Sequence, residues 1–285
     1  LSAYMDEAQI RVLGQGLQQP APLDVRVNTL LASRDDILGA LAGSGLKGEP
    51  TPYSPIGIRL EGKPALNKHP MFNVGKIEVQ DEGSQLLGLL LAPKRGEMVV
   101  DFCAGAGGKT LLLGALMSST GRLYAFDVSE RRLANLKPRL KRSGLSNVQP
   151  QLLGSENDPR IKRLAGKIDR VLVDAPCSGL GTLRRNPDLK FRQSAKSVEE
   201  LTKKQAAILA SAAKLVKNGG RLVYATCSIL REENRDIVDA FLSANPDFKL
   251  LPAGELLAKQ GIKLEMGECL IMSPAQHGTD GFFAA

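Results

Sequence analysis

Met98-Val99-Val100-Asp101-Phe102-Cys103-Ala104-Gly105-Ala106-Gly107-Gly108-Lys109-Thr110 reads as an apolar β-strand, a glycine-rich turn and the opening of a helix. Glycines let the backbone approach a ligand closely, and the first N–H groups of a helix have no partner within it. Alone, such a turn also serves plain chain reversal. Asp127 strengthens the reading, because it closes the next apolar strand twenty residues past Gly107, where an acid hydrogen-bonds ribose hydroxyls in nucleoside-binding sheets. The competing reading is a phosphate loop: Gly108-Lys109-Thr110 mimics the end of G-x-x-x-x-G-K-[ST], and Val171-Leu172-Val173-Asp174 mimics an apolar strand ending in a magnesium-binding Asp. It fails at residue 103, which is Cys where that motif needs Gly. A nucleoside held by a carboxylate, without a triphosphate, fits better.

Outward from this loop, β-branched runs alternate with helical patterns, the mark of an α/β chain with a parallel sheet flanked by helices. The strands expected are Met98 to Cys103, Leu123 to Asp127, Gln149 to Leu153, Ile168 to Asp174 and Arg221 to Cys227, with helices over 109–118, 129–143, 198–216 and 231–244. Ser197-Val198-Glu199-Glu200 reads as a capping box for the third helix, Asn218-Gly219-Gly220 as its end, and Pro138 as a kink in the second. Residues 1–74 form a small α+β unit: a strand over 21–28, a helix from Arg34 to Ala42 and turn-rich β structure over 48–73. Residues 75–285 carry the parallel sheet, with Val79 to Leu91 a helix packed on it. Leu1 falls inside a helical pattern, which points to further sequence upstream.

The chain has 285 residues, 43% of them hydrophobic, enough to build real cores. Its net charge of +8 favours a polyanionic partner, nucleic acid ahead of membrane. The longest apolar stretches, 86–92 and 111–117, are too short to cross a bilayer, and a soluble, cytoplasmic protein without membrane contact is expected. The four cysteines, at 103, 177, 227 and 269, include no C-x-x-C pair, and only two histidines accompany them. Reduced, metal-free thiols follow.

Two of those thiols stand where apolar runs stop, in Arg170-Val171-Leu172-Val173-Asp174-Ala175-Pro176-Cys177-Ser178-Gly179 and in Tyr224-Ala225-Thr226-Cys227-Ser228. Ligands of parallel sheets bind outside the carboxyl ends of the strands, so both thiols and Asp174 are placed to serve one crevice. Cys103 and Cys269 read instead as small packed hydrophobes. No histidine lies near either strand-end thiol in sequence, which argues against a protease-like pair. A thiolate that adds to an electron-poor ring needs no such base. Cytosine attacked at C6 becomes nucleophilic at C5, and an acid near N3 and N4, a role for Asp174, stabilises the adduct.

The chain resembles the RNA 5-methylcytosine methyltransferases of the RsmB/Nop2/Sun family. The resemblance rests on Val79-Gln80-Asp81-Glu82-Gly83-Ser84-Gln85, the 101–110 loop, Asp174-Ala175-Pro176-Cys177-Ser178-Gly179 with Arg184-Arg185-Asn186-Pro187-Asp188, Thr226-Cys227-Ser228 and Asp280-Gly281-Phe282-Phe283, spanning roughly residues 22–285. It implies a Rossmann-like methyltransferase domain preceded by an RNA-recognition-like module. It also implies S-adenosylmethionine held by Cys103, Ala104, Gly105, Ala106, Gly107, Gly108 and Lys109, with Asp127 on its ribose and Asp174 near both donor methyl and cytosine. Cys227 is implied as nucleophile and Cys177 as the thiol that assists product release. Two departures stand out: the loop has Gly105-Ala106 where the family usually has Ala-Pro, and Leu153-Gly154-Ser155-Glu156 lacks the usual Asp after the third strand. Ser155 or Glu156 is then left to meet the adenine.

Basic residues recur at 131–132, 137–142, 160–163 and 184–192. The first two runs fit a solvated helix face. Arg184, Arg185, Lys190 and Arg192 follow the Cys177 motif directly and are expected to hold RNA phosphates beside a base turned out of its stack. Aromatics total 4% and Trp is absent, so recognition by shape and charge is expected. The expected partner is RNA, ribosomal ahead of transfer RNA, and the expected state is a monomer. Two alternatives use the same residues: a DNA cytosine methyltransferase with Cys177 as nucleophile, and a non-catalytic RNA-binding assembly factor.

Overall fold

The structure, a computed structural model, describes residues 1–285. Four strands, β1 (Leu23–Val27), β2 (Gly48–Pro50), β3 (Gly57–Leu60) and β4 (Ile77–Val79), form a sheet of order β2-β3-β1-β4 with antiparallel pairs. Seven more strands follow: β5 (Met98–Asp101), β6 (Arg122–Asp127), β7 (Val148–Leu152), β8 (Ile168–Asp174), β9 (Val216–Thr226), β10 (Leu270–Met272) and β11 (Phe282–Ala284). Their order is β10-β11-β9-β8-β5-β6-β7. The chain forms two compact units, residues 22–174 with 211–223, and residues 1–21, 175–210 and 224–285.

In the first of these, β8, β5, β6 and β7 run parallel. Val99, Val100, Val171, Leu172 and Val173 are buried, as strands covered on both faces require. The chain leaves β5 for β6 on one side and returns to β8 on the other, so the sheet changes direction at β5/β8 and opens a crevice past Asp101 and Asp174. A separate apolar core of Val25, Val27, Ile37, Leu41, Ile58 and Ile77 fills the antiparallel sheet.

Several expected boundaries shift for local reasons. The helix expected from Val79 starts at Glu82, because Ile77–Val79 pairs with β1. Its polar opening is buried: Gln80 accepts from Arg26 Nε at 2.6 Å, and Glu82 accepts from the Tyr53 and Ser54 N–H groups at 2.6 and 2.7 Å. The long helix is Ala195–Ala213, and its capping box is one turn earlier than expected: Ser194 Oγ accepts from Ser197 N, and Ser197 Oγ accepts from Ser194 N. Asn218-Gly219-Gly220 does not end that helix. Gly219, at φ +75°, turns the chain within the residues of β9. The last long helix breaks into a 3-10 turn, Arg231–Glu233, and a helix, Arg235–Ala244, because the Asn234 side chain turns back to Thr226 and Ser228. Helix Glu130–Ser143 runs through Pro138. The first helix is Glu7–Gln18, opened by a capping box of Asp6 and Gln9, so Leu1 lies in the turns before it.

Candidate active site

The glycine loop leaves β5 and enters helix Gly108–Leu116. Gly107 sits at φ +85°, and a Cβ there would lie 2.1 Å from Leu136 Cδ1, so residue 107 admits no side chain. No side chain caps this helix, which leaves its first N–H groups facing the loop. Asp127 braces the turn, its carboxylate accepting from Gly105 N at 2.8 Å and from Ser129 N at 2.7 Å. Lys109 Nζ donates to Asp174 Oδ2 at 2.7 Å, which joins the last residue of the loop to the end of β8. Cys103 is half-buried, and Ala104 packs in the core beneath the loop.

Asp101 is the polar residue that the sequence reading passed over. It is fully buried; Oδ2 accepts from Thr110 Oγ1 at 2.7 Å, while Oδ1 has no partner. Burial pushes its carboxyl up to about 7, reinforced by the charges of Asp174 and Asp127 and opposed by the Thr110 hydrogen bond and Lys109. The folded protein therefore binds this proton more tightly than the unfolded chain. Stability from Asp101 is present below the ordinary carboxylate range and is lost as pH rises towards 7. Asp101→Asn is expected to narrow the gap between melting temperatures at about pH 5 and about pH 8. An unchanged gap would show that Asp101 does not titrate there.

After the third parallel strand, Ser155 is exposed, its hydroxyl accepting from Asn157 N at 3.2 Å, and Glu156 accepts from the Asn157 amide. The buried acid on this turn is Asp158. It accepts from Gly154 N at 2.9 Å and pairs with Arg160 at 2.7 Å, and at four residues past Gly154 it lay too far along the chain to stand out.

In the other unit, the Cys177 and Cys227 sulfurs lie 3.5 Å apart. The hydroxyls of their neighbours Ser178 and Ser228 lie 3.2 Å apart, and both donate to the buried Glu233 carboxylate. The hydrogen bond to Cys227 and burial push the Cys177 thiol well above its ordinary value, and the charges of Cys227 and Glu233 act the same way. Cys269 is buried directly before the edge strand β10. Glu233 carried no signal in sequence, because Arg231-Glu232-Glu233-Asn234 reads as an exposed helix start.

The basic loop divides. Arg184 is buried, donating to Asp280 Oδ1 at 2.6 Å and to Gly278 O at 3.0 Å, and Arg185 donates to Asp280 Oδ2 at 2.5 Å. Together they lock the loop to the Asp280-Gly281-Phe282-Phe283 segment. Lys190 and Arg192 lie on the short helix Leu189–Arg192, Arg192 pairing with Asp188, and Phe191 between them is 82% exposed beneath the Lys190 ammonium. No group of three or more His, Cys, Asp or Glu side chains has metal-holding geometry, and no helix is long and apolar enough to cross a membrane.

A parallel sheet that changes direction beside a glycine loop, with carboxylates on three strand ends, defines a Rossmann-like methyltransferase fold, here joined to a ferredoxin-like N-terminal domain. The profile of the 16S rRNA methyltransferases RsmB/F matches residues 88–285, and that of the RsmF/B-like ferredoxin-like domain matches residues 3–67. The chain belongs to this family, as the motifs implied. It is 39% identical over 253 residues to ribosomal RNA small subunit methyltransferase B of Salmonella typhi, an alignment covering 89% of this chain and 58% of that protein. The chain thus spans a little over half the length of the curated relatives it matches. A methyltransferase homolog protein from Pyrococcus horikoshii is 31% identical with a TM-score of 0.82, over 98% of this chain and 89% of that one. NSun6 from Pyrococcus horikoshii, solved with SFG, superposes with a TM-score of 0.86 at 23% identity, over 98% and 94% of the two chains, and supports the fold alone.

Proposed function

We propose that this protein is an S-adenosylmethionine-dependent RNA cytosine-C5 methyltransferase acting through a covalent cysteine–C6 adduct, with ribosomal RNA as substrate in the cytoplasm. The observation that carries the reading is the 3.5 Å approach of the Cys177 and Cys227 sulfurs. A single nucleophile needs no second thiol beside it, and two thiols in contact suit an adduct that one forms and the other helps to release. The N-terminal residues 1–74 serve as the RNA-recognition-like module, and residues 75–285 as the catalytic domain.

The residues present fit the cofactor. The loop excludes a side chain at 107, Asp127 retains lone pairs for ribose hydroxyls, and the unpartnered Asp101 Oδ1 leaves a buried polar group behind the loop. S-adenosylmethionine supplies an electrophilic methyl group when bound. Residues 103–109 would hold it, with Ser155 or Glu156 beside the adenine and Asp174 near the reacting atoms. Asp127→Ala is expected to weaken its binding by about 1–3 kcal/mol, the range for stranding a buried polar partner. Calorimetry with S-adenosylmethionine, and with magnesium and ATP as the contrast, tests this; magnesium-dependent ATP binding would overturn the assignment.

Cys227 attacks C6 and makes C5 nucleophilic, and the hydrogen bond to Cys227 and burial, which raise the Cys177 thiol, fit Cys177 to the assisting role. Asp174 stabilises the ring at N3 and N4. Once C5 is methylated, the electrons of its C–H bond re-form the C5–C6 double bond as the Cys227–C6 bond breaks; Cys177 assists by giving its thiol proton to the leaving Cys227 sulfur and taking the C5 proton in its place.

RNA is held by the basic loop, with Lys190 and Arg192 on phosphates, Phe191 offering a face for one base, and Arg184 and Arg185 holding the loop in place through Asp280. Affinity is expected to fall as salt rises, and Lys190→Ala to lower the salt slope by about one phosphate contact across sequences. Affinity unchanged between low and physiological salt would remove the loop from the RNA interface.

A further inference from the structure

The carboxylate of Glu233 has no part in the reaction as derived, yet it is fully buried and every donor that reaches it comes from the thiol segments or from the helix behind them. Oε1 accepts from Ser178 N at 2.8 Å and Gln205 Nε2 at 3.0 Å; Oε2 accepts from Ser178 Oγ and Ser228 Oγ, each at 2.5 Å. All four are neutral donors, so both oxygens act only as acceptors, as an ionised carboxylate does. Asn234 completes the grip on the second segment, accepting from Thr226 Oγ1 at 2.5 Å and donating to Ser228 O at 2.9 Å. Gln205 completes the first, donating to Pro176 O at 3.0 Å. Each cysteine is therefore pinned by the residue before it and the residue after it, and the two sets of bonds meet at one carboxylate.

We infer that Glu233 is a positioning residue: it clamps the segments 176–178 and 226–228 against each other so that the two sulfurs meet, and it sets a negative charge on the N–H of Ser178, the residue next to Cys177. A buried carboxylate is a costly choice for a purely mechanical tie, since an apolar or amide contact avoids the desolvation of a charge. Its charge has a use here, because a negative group beside a thiol disfavours the thiolate. The titratable groups acting on Cys177 are Cys227 and Glu233. From helix Ala195–Ala213 the group meeting Glu233 is the neutral Gln205, and from β9 the Tyr224 hydroxyl donates to the Glu233 carbonyl at 2.7 Å. The cations next in sequence are paired elsewhere, Arg231 with Asp236 and Arg235 with Asp239 and Glu268, and the adjacent Glu232 is exposed.

This inference takes its meaning from the two-thiol reaction proposed above, but its test needs neither RNA nor S-adenosylmethionine. In the full chain, the rate at which iodoacetamide alkylates each cysteine is followed against pH by peptide mass. Glu233→Gln keeps the size of the side chain and removes the charge, so the Cys177 profile is expected to move to lower pH, with alkylation at a fixed pH faster by about tenfold per unit moved. The buried Cys269 stays protected and reports that the fold is intact. An unmoved Cys177 profile would overturn the role of the charge. Ser228→Ala covers the case in which the Gln variant fails to fold. It keeps the charge and cuts one tie, and the readout is closure of the Cys177–Cys227 disulfide by diamide, in which the two thiols together give two electrons and two protons to the diazene and leave it as the hydrazine. Closure is expected to slow several-fold; an unchanged rate would show that the clamp does not set the approach of the sulfurs.

Discussion

Cys227→Ala is expected to abolish covalent capture of a 5-fluorocytosine-containing RNA and methyl transfer together. The account requires both losses, because only sulfur addition at C6 makes C5 nucleophilic enough to be methylated, and no other group replaces that bond. Cys177 does not substitute, although it lies 3.5 Å away. Its thiol is held well above its ordinary value by the hydrogen bond to Cys227, by burial and by neighbouring negative charge, which disfavours its thiolate. The loss should reach background at every pH tested. Binding of RNA to the variant should persist, since the basic loop is untouched. Capture retained by the Cys227 variant and lost by Cys177→Ala would instead describe the DNA-type arrangement, in which the Pro-Cys thiol attacks.

The second large effect concerns Asp174. It ends β8 and accepts a hydrogen bond from Lys109 Nζ at 2.7 Å, an ion pair with side chains 12% and 29% exposed. The ammonium fixes the direction of the carboxylate and leaves its other oxygen for a ligand. Replacing Asp174 with Ala removes the acid proposed to stabilise the ring at N3 and N4 and breaks its ion pair with Lys109. Single-turnover methyl transfer is expected to slow by about 10²–10⁴-fold, the usual contribution of a positioned acid or base. Asp174→Asn, which keeps the shape, should recover little of that loss. Calorimetry on the same variants separates a failed chemical step from failed cofactor binding, and an Asn variant that turns over at the wild-type rate would remove Asp174 from the chemistry.

Much of the architecture was legible because the relevant signals are local. The apolar runs of β5, β6 and β8 and the glycine turn between β5 and its helix depend on neighbours in sequence, and Ile168–Asp174 falls where its β-branched pattern placed it. The misreadings have tertiary causes. Ile77–Val79 is too short to read as a strand until β1 is beside it, and Asn234 interrupts a helical pattern to hold residues six to eight positions back. In the candidate site, both thiols, Asp127 and Asp174 were visible as residues at strand ends. What was invisible is the long-range bonding around them. The Lys109–Asp174 pair spans 65 positions, the Glu233 clamp reaches Ser178 across 55, and Arg184 reaches Asp280 across 96. Charge alone marked Arg184 and Arg185 as RNA ligands in the same way as Lys190 and Arg192, because a sequence does not show that an acid near the end of the chain folds back onto two of the four.

The roles of the two thiols are tested most directly by a denaturing gel. Cys177→Ala and Cys227→Ala are each incubated with unmodified substrate RNA and S-adenosylmethionine, then denatured so that only covalent complexes migrate slowly. With Cys227 as nucleophile and Cys177 assisting release, the Cys177 variant accumulates a persistent protein–RNA band carrying the transferred methyl group, and the Cys227 variant shows none. A persistent band from the Cys227 variant, with none from the Cys177 variant, would contradict the assignment of the nucleophile.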